Sequence, residues 1–239
     1  MTSELFRIIP LNTRTLLLEW RQQPSDKLLG ILLSFKVIIE KEVKVSRCII
    51  GYNALLVHLN EDVKNLSWWN HHLNKIQNGI KKKKLNKGKL WKIPVCYEAN
   101  YGPDLAPLSD ALKLEIDELI QLHSQTRYRL CFLGFLPGFL YLNGLNERLH
   151  FPRKEKPQLK VSKGSVGIGG KQTGIYPNNS PGGWHLIGNT PIPLFDVKQR
   201  PPCFASPGDW IVFEPINEKT YRDIKKEINK GHFKFMPHD

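Results

Sequence analysis

Apolar residues recur along this chain with two different periods, and the change from one to the other divides it. Leu5–Ile9 and Thr15–Trp20 read as two short strands around a Pro10-Leu11-Asn12 turn. Ser25 then stands as an N-cap before a helix over Lys27–Lys41, with Leu28, Leu29, Leu32, Leu33 and Phe35 on its apolar face. Val43–Gly51 and Ala54–Asn60 alternate as a hairpin through Gly51-Tyr52-Asn53. Glu61–Lys84 reads as a second helix, with Leu66, Trp69, Leu73, Ile76 and Ile80 at three- and four-residue steps, and Leu90–Tyr97 returns as a strand. Two strands, helix, two strands, helix, strand predicts a small α+β sandwich.

Beyond Tyr97 the pattern changes. Gly102-Pro103-Asp104 opens a turn, Ser109-Asp-Ala-Leu introduces a helix over Lys113–Ser124, and Tyr128–Phe135 reads as a strand. From Pro137 onward, short strands and glycine- and proline-rich turns dominate, the signature of an all-β barrel or sandwich. Pro207-Gly208-Asp209 is a tight turn feeding a strand over Trp210–Pro215, and Thr220–Lys230 is a closing helix. The expected organisation is an α+β protein with an N-terminal domain, 1–88, and a β-barrel domain, 89–239.

The segment 164–184 holds seven glycines and two prolines in 21 residues. Glycine marks backbone at positive φ or backbone that another group must approach closely. The expectation here is an ordered loop lining a site, with only Ser165–Ile168 as strand. Ile168, Ile175, Tyr176 and Trp184 anchor it, and Gln172, Thr173, Tyr176, Asn178, Ser180 and His185 supply polar groups. It is not a phosphate loop, because Gly170-Lys171 is followed by Gln172 instead of Ser or Thr. It is not a dinucleotide fingerprint, because Gln172 stands where the third glycine belongs. No nucleophile elbow surrounds Ser165 or Ser180.

The net charge of +13 and pI near 9.6 raise nucleic acid as a partner. Seven of the lysines lie in residues 81–92 without an acid, at the domain joint, and no nucleic-acid-binding module accompanies them. That run reads as a solvated linker, so no nucleic-acid partner is expected. Cysteines 48, 96, 131 and 203 show no metal-ligand spacing and sit in apolar surroundings, as buried reduced thiols do. No signal peptide is legible, and the longest apolar run, Cys131–Leu142, is 12 residues and contains Pro137. The expectation is a cytoplasmic protein with neither a metal nor a membrane.

Eight short motifs follow in order from Gly102 to Asp209: Gly102-Pro-Asp-Leu105, His123-Ser124, Leu133-Gly-Phe-Leu-Pro-Gly-Phe-Leu-Tyr-Leu142, Phe151-Pro-Arg153, Gly164-Ser-Val-Gly167, Gln172-Thr-Gly-Ile-Tyr-Pro177, Ser180-Pro-Gly-Gly-Trp184 and Pro207-Gly-Asp209. Together they resemble the family of allophanate hydrolase subunit 1, or carboxyltransferase subdomain, which includes the B component of prokaryotic 5-oxoprolinase and a sporulation-kinase inhibitor. The resemblance implies an α+β N-terminal domain and a cyclophilin-like C-terminal barrel. It also implies ATP-dependent opening of 5-oxo-L-proline to L-glutamate, with ATP acting at the level of the complex. The implied partners are the C component of 5-oxoprolinase, of the allophanate hydrolase subunit 2 family, and its A component. Two alternatives stay open: inhibition of a sensor histidine kinase, and a part in an allophanate hydrolase or urea carboxylase-type carboxyltransferase. Gln158 and Asn189 stand where arginine is common in the family, which removes two planar forks for an anion.

Lactam opening needs an activated ring carbonyl, a held carboxylate and exclusion of bulk water. Arg153 is the candidate anion clamp. Backbone N–H groups of Gly167–Gly170 and of Gly182 and Gly183 offer an anion nest or simply turn geometry. Gln172 donates and accepts, Tyr176 offers a hydroxyl, and Trp184 a ring. His123, at a helix end, is either an acid–base group or a satisfied core group. No Ser-His-Asp or Cys-His arrangement is legible, so the chain reads as part of a site, one component of a complex and inactive alone.

Overall fold

The computed structural model describes residues 6–80 and 88–238. They fall into two compact units that divide between residues 86 and 87.

In the first unit, β1 (Phe6–Asn12) and β2 (Thr15–Trp20) form a hairpin, followed by α1 (Asp26–Ile39), β3 (Val45–Ile50), β4 (Ala54–Leu59) and α2 (Leu66–Gly79). The sheet is antiparallel in the order β1-β2-β4-β3. Helix α1 starts where Ser25 Oγ accepts the Leu28 N–H at 3.2 Å. It buries Leu28, Leu29, Leu32, Phe35 and Ile39. Phe6, Trp20 and Phe35 interlock at ring separations of 4.8–5.8 Å, at the spacing of favourable aromatic pairs. Helix α2 begins five residues later than its periodicity predicts. Asn65 caps it through the Trp68 N–H at 2.9 Å, while Glu61 and Asp62 pair with Lys44 and Arg14. Its expected end over 81–84 lies outside the described residues, as do Leu5 and most of the lysine run.

The second unit contains β5 (Leu90–Cys96), α3 (Leu105–Leu112), α4 (Ile116–Ser124), β6 (Tyr128–Leu133), β7 (Leu140–Asn143), β8 (Gln158–Val161), β9 (Ser165–Gly169), β10 (Gln172–Ile175), β11 (Ser180–Gly182), β12 (His185–Asn189), β13 (Trp210–Ile216) and α5 (Glu218–Asn229). Seven strands close a barrel in the order β10-β7-β6-β13-β5-β12-β9. β5 and β13 run parallel over seven paired positions, and the remaining barrel pairings are antiparallel. β8 and β11 form a separate two-stranded ribbon. The barrel interior is filled by Ile93, Val95, Leu130, Leu142, Val166, Ile168, Ile187 and Phe213, a packed core with no lumen.

Two expectations are corrected. The helix expected over Lys113–Ser124 is two helices, because Lys113 adopts the left-handed conformation (φ 55°) that terminates α3. The glycine-rich segment is mostly strand: β9, β10 and β11 lie within it. A strand with so many glycines is weak by composition, and its tolerance here has a packing reason. The indole of Trp184 lies against Gly169 and Gly174, so a Cβ at Gly169 would run into the ring, and one at Gly174 would sit 3.0 Å from Cζ3.

Asp209, expected as a turn residue, also joins three segments. Its buried carboxylate accepts from the Lys89 and Ser206 N–H groups, each at 2.9 Å, and from Trp91 Nε1 at 3.0 Å.

Candidate functional site

A cavity of about 320 Å³ opens beside the barrel, lined by residues of β7, of β11 and of the connections around them. Four stretches of chain build it. The β6–β7 connection supplies Phe135 and Phe139, and β7 supplies Tyr141. The approach to β8 supplies Arg153, Lys154 and Pro157, and the stretch from Tyr176 to Trp184 supplies the remaining wall. Its size suits a small ligand, and a lining of aromatic side chains, prolines and glycines with a few polar groups is typical of such sites.

The aromatic wall is mutually braced. Phe139 meets Tyr141 at 4.8 Å, Tyr176 at 5.2 Å and Trp184 at 5.5 Å, the last two edge-on. The β6–β7 connection turns sharply through Phe135, a non-glycine residue at φ 62°. Such strain persists only where the surroundings hold it. Phe135 is 61% exposed at the rim and packs edge-on against Phe139 at 5.7 Å.

Two cations reach the cavity, and they are not equivalent. Lys154 Nζ is 2.7 Å from Asp104 Oδ1, while Asp104 Oδ2 accepts the Leu186 N–H at 2.7 Å. Lys154 is thereby neutralised and fixed. The Arg153 guanidinium has no carboxylate partner among the described residues and lies over the Trp184 ring at 5.6 Å from its centroid. Burial pushes the Tyr141 and Tyr176 hydroxyls up, and the Arg153 charge draws both partly back. Both phenols are protonated at neutral pH.

Of the residues singled out from sequence, Arg153, Tyr176, Gly182, Gly183 and Trp184 come together here. Gln172 and His123 do not. Gln172 opens β10 opposite Gly169 and forms no part of the cavity wall. His123 is fully buried in the barrel and stacked on Phe213 at 4.5 Å. The Thr173 hydroxyl donates to Gly167 O at 3.1 Å and so accepts from His123 Nε2 at 2.9 Å. Nδ1 is left to accept from the Tyr97 hydroxyl at 2.8 Å. With its hydrogen bonds filled and its pKa lowered to about 3 by burial, His123 is a neutral core group. His185 likewise bonds Pro152 O at 3.0 Å and packs on Phe151. Gly167–Gly170 form no anion nest, since they pair within the β9 ladders and Gly170 N–H donates to Phe151 O.

Sequence reasoning missed Lys154 and its ion-pair partner Asp104. The motif Phe151-Pro-Arg153 abuts Lys154, and Gly102-Pro-Asp104 is another of the eight motifs. Their shared signal was order along the chain, which does not reveal that residues 50 apart form an ion pair. Among the described residues no cluster of His, Cys, Asp and Glu could hold a metal, and no helix is long and apolar enough to cross a membrane.

Residues 6–205 match the family of the carboxyltransferase domain, subdomain C and D. The chain belongs to that family. It is similar to the 5-oxoprolinase B subunit of Bacillus subtilis, 44% identical over 137 residues, covering 57% of each chain. It is also similar to the 5-oxoprolinase B subunit of Escherichia coli O157:H7, 49% identical over 126 residues, covering 53% of this chain and 58% of that one. The chain thus spans under three fifths of the length of these curated relatives. The crystal structure of Kluyveromyces lactis urea carboxylase shares the fold, with a TM-score of 0.79 at 18% identity over 98% of this chain and 24% of that one.

Proposed function

We propose that this chain is the B component of an ATP-dependent 5-oxoprolinase, a non-autonomous subunit that hydrolyses 5-oxo-L-proline to L-glutamate with its partners. The observation that carries the reading is the 44–49% identity to proteins named as the B subunit of 5-oxoprolinase. It is supported by a cavity suited to a small ring with a carboxylate, having aromatic walls for the methylenes and Arg153 for the anion. On this reading Arg153, Tyr176, Gly182, Gly183 and Trp184 contact the substrate. The domains are 1–88 and a cyclophilin-like barrel over 89–239. The complex is cytoplasmic, ATP acts at the level of the assembly, and the C and A components complete it.

The test is to purify the tagged chain from its own host and assay the eluate for 5-oxoproline-dependent ATP hydrolysis. Co-elution of an allophanate hydrolase subunit 2 homologue, with turnover absent from the chain alone, is the expected result. Co-elution of a sensor histidine kinase and indifference to 5-oxoproline would replace the reading with that of a regulatory binding protein.

A further inference from the structure

Tyr176 carries a hydroxyl of the cavity wall that close packing holds in place. Its side chain is 2% exposed and wedged between Phe139 and Trp184. Gly182 lies directly against it, since a Cβ there would stand 2.5 Å from the hydroxyl oxygen. A protonated phenol has a proton to donate. No side chain or carbonyl among the described residues takes that proton, and the hydroxyl belongs to a residue of the cavity wall. Arg153, the cation without a carboxylate partner among the described residues, lines the same cavity. Two donors of different kinds thus converge: a forked cation that suits a carboxylate and a neutral hydroxyl that suits a carbonyl oxygen.

We propose that the cavity selects a carboxylate that also bears an amide or lactam carbonyl, with Arg153 holding the carboxylate and Tyr176 donating its hydroxyl proton to the carbonyl oxygen. The assignment deepens the 5-oxoproline reading and rests on this cavity being the substrate site. Tyr176 becomes the residue that tells a lactam acid from its carbonyl-free analogue. A buried donor left unmatched by a ligand costs binding, and sites of this kind discriminate strongly between analogues that fill the hydrogen bond and those that do not.

The experiment is calorimetric titration of the full chain, alone and in its purified complex. The probes are 5-oxo-L-proline, cyclopentanecarboxylate (a ring acid with no ring carbonyl and no charged nitrogen), 2-pyrrolidinone (no carboxylate) and succinamate (an open-chain amide acid). The proposal predicts that the wild type prefers 5-oxoproline over both cyclopentanecarboxylate and 2-pyrrolidinone by at least about tenfold. Tyr176→Phe erases the preference over cyclopentanecarboxylate and keeps that over 2-pyrrolidinone. Arg153→Gln, at an exposed position, does the reverse. Thermal melting verifies that each variant is folded, and Gly182→Ala, which displaces the Tyr176 hydroxyl without removing it, serves as a second route to the same loss. Tight 5-oxoproline binding that neither Tyr176→Phe nor Gly182→Ala alters would overturn the proposal while leaving the 5-oxoprolinase reading intact. Succinamate binding with the same dependence on both residues, and none of 5-oxoproline, would support the proposal and sink that reading. If none of the four probes binds the chain or its complex, the proposal is wrong.

Discussion

The Tyr176 hydroxyl and the Cα of Gly182 are in such close contact that a single added methyl at position 182 would lie 2.5 Å from the oxygen. The neighbouring Gly183 is different: its nearest atoms would stand at 3.7–3.9 Å, ordinary contact distances. Gly182→Ala is therefore expected to lower stability by about 1–3 kcal/mol, the usual cost of overpacking. Gly183→Ala is expected to remain near wild type. Paired urea denaturation curves check this, and equal losses in both variants would show that Tyr176 is not held by Gly182.

Gly169 and Trp184 provide a second steric test. The indole occupies the space where an alanine methyl at 169 would go. Gly169→Ala should destabilise by about 1–3 kcal/mol in the wild type and by much less when Trp184 is already alanine. A double-mutant cycle measures the coupling, expected at about 1 kcal/mol or more for residues in contact. Additive effects would mean that the glycine is present for another reason.

His123 makes stability depend on pH in a definite direction. Its pKa is lowered from 6.5 to about 3 by burial, so the unfolded chain binds a proton that the folded chain refuses. Stability from this group is fully present above pH 6.5 and is lost as pH falls from there toward 3, at roughly 1 kcal/mol per pH unit. Denaturation midpoints of the wild type and His123→Gln, compared between about pH 7.5 and 4.5 on either side of the ordinary histidine value, should converge as pH falls. A constant gap would show that His123 does not titrate between the two states.

Asp104 tests the division of roles between the two cations. Asp104→Asn keeps an oxygen for the Leu186 N–H but leaves Lys154 without its charge partner, in a pair whose side chains are 19% and 16% exposed. A stability loss of about 1–3 kcal/mol is expected. Affinity for small carboxylates should rise a few-fold because a second cation then faces the cavity. Calorimetry with acetate and 5-oxoproline measures the second effect, and unchanged anion affinity would show that Lys154 does not face the ligand.

Much of this architecture was legible in one dimension. The α1 stripe of Leu28, Leu32 and Phe35 and the alternation in β3 and β4 depend on local periods that the backbone imposes, so these elements could be read to within a few residues. The split at Lys113 could not be, because a lysine at φ 55° carries no compositional mark. The glycine-rich segment was misread for a related reason. Glycine propensity argues against strands, and the argument fails here because Trp184 fills the space a side chain at 169 would take, while Leu140 O, Phe139 and Trp184 crowd that at 174.

The order of motifs and the residue types Arg153, Tyr176, Gly182 and Trp184 were set by the sequence alone, and with them the family. Which of the polar residues belong to the cavity was a tertiary matter. His123 and Tyr176 look equally available on paper. One is enclosed in the barrel with both ring nitrogens bonded to Tyr97 and Thr173, and the other lines the cavity. Likewise Asp104, 50 residues from Lys154 in the chain, silences one cation and leaves Arg153 as the other. Chemical capacity is a property of side chains, but whether that capacity stays open to a ligand depends on which partners the folded chain brings within hydrogen-bond distance.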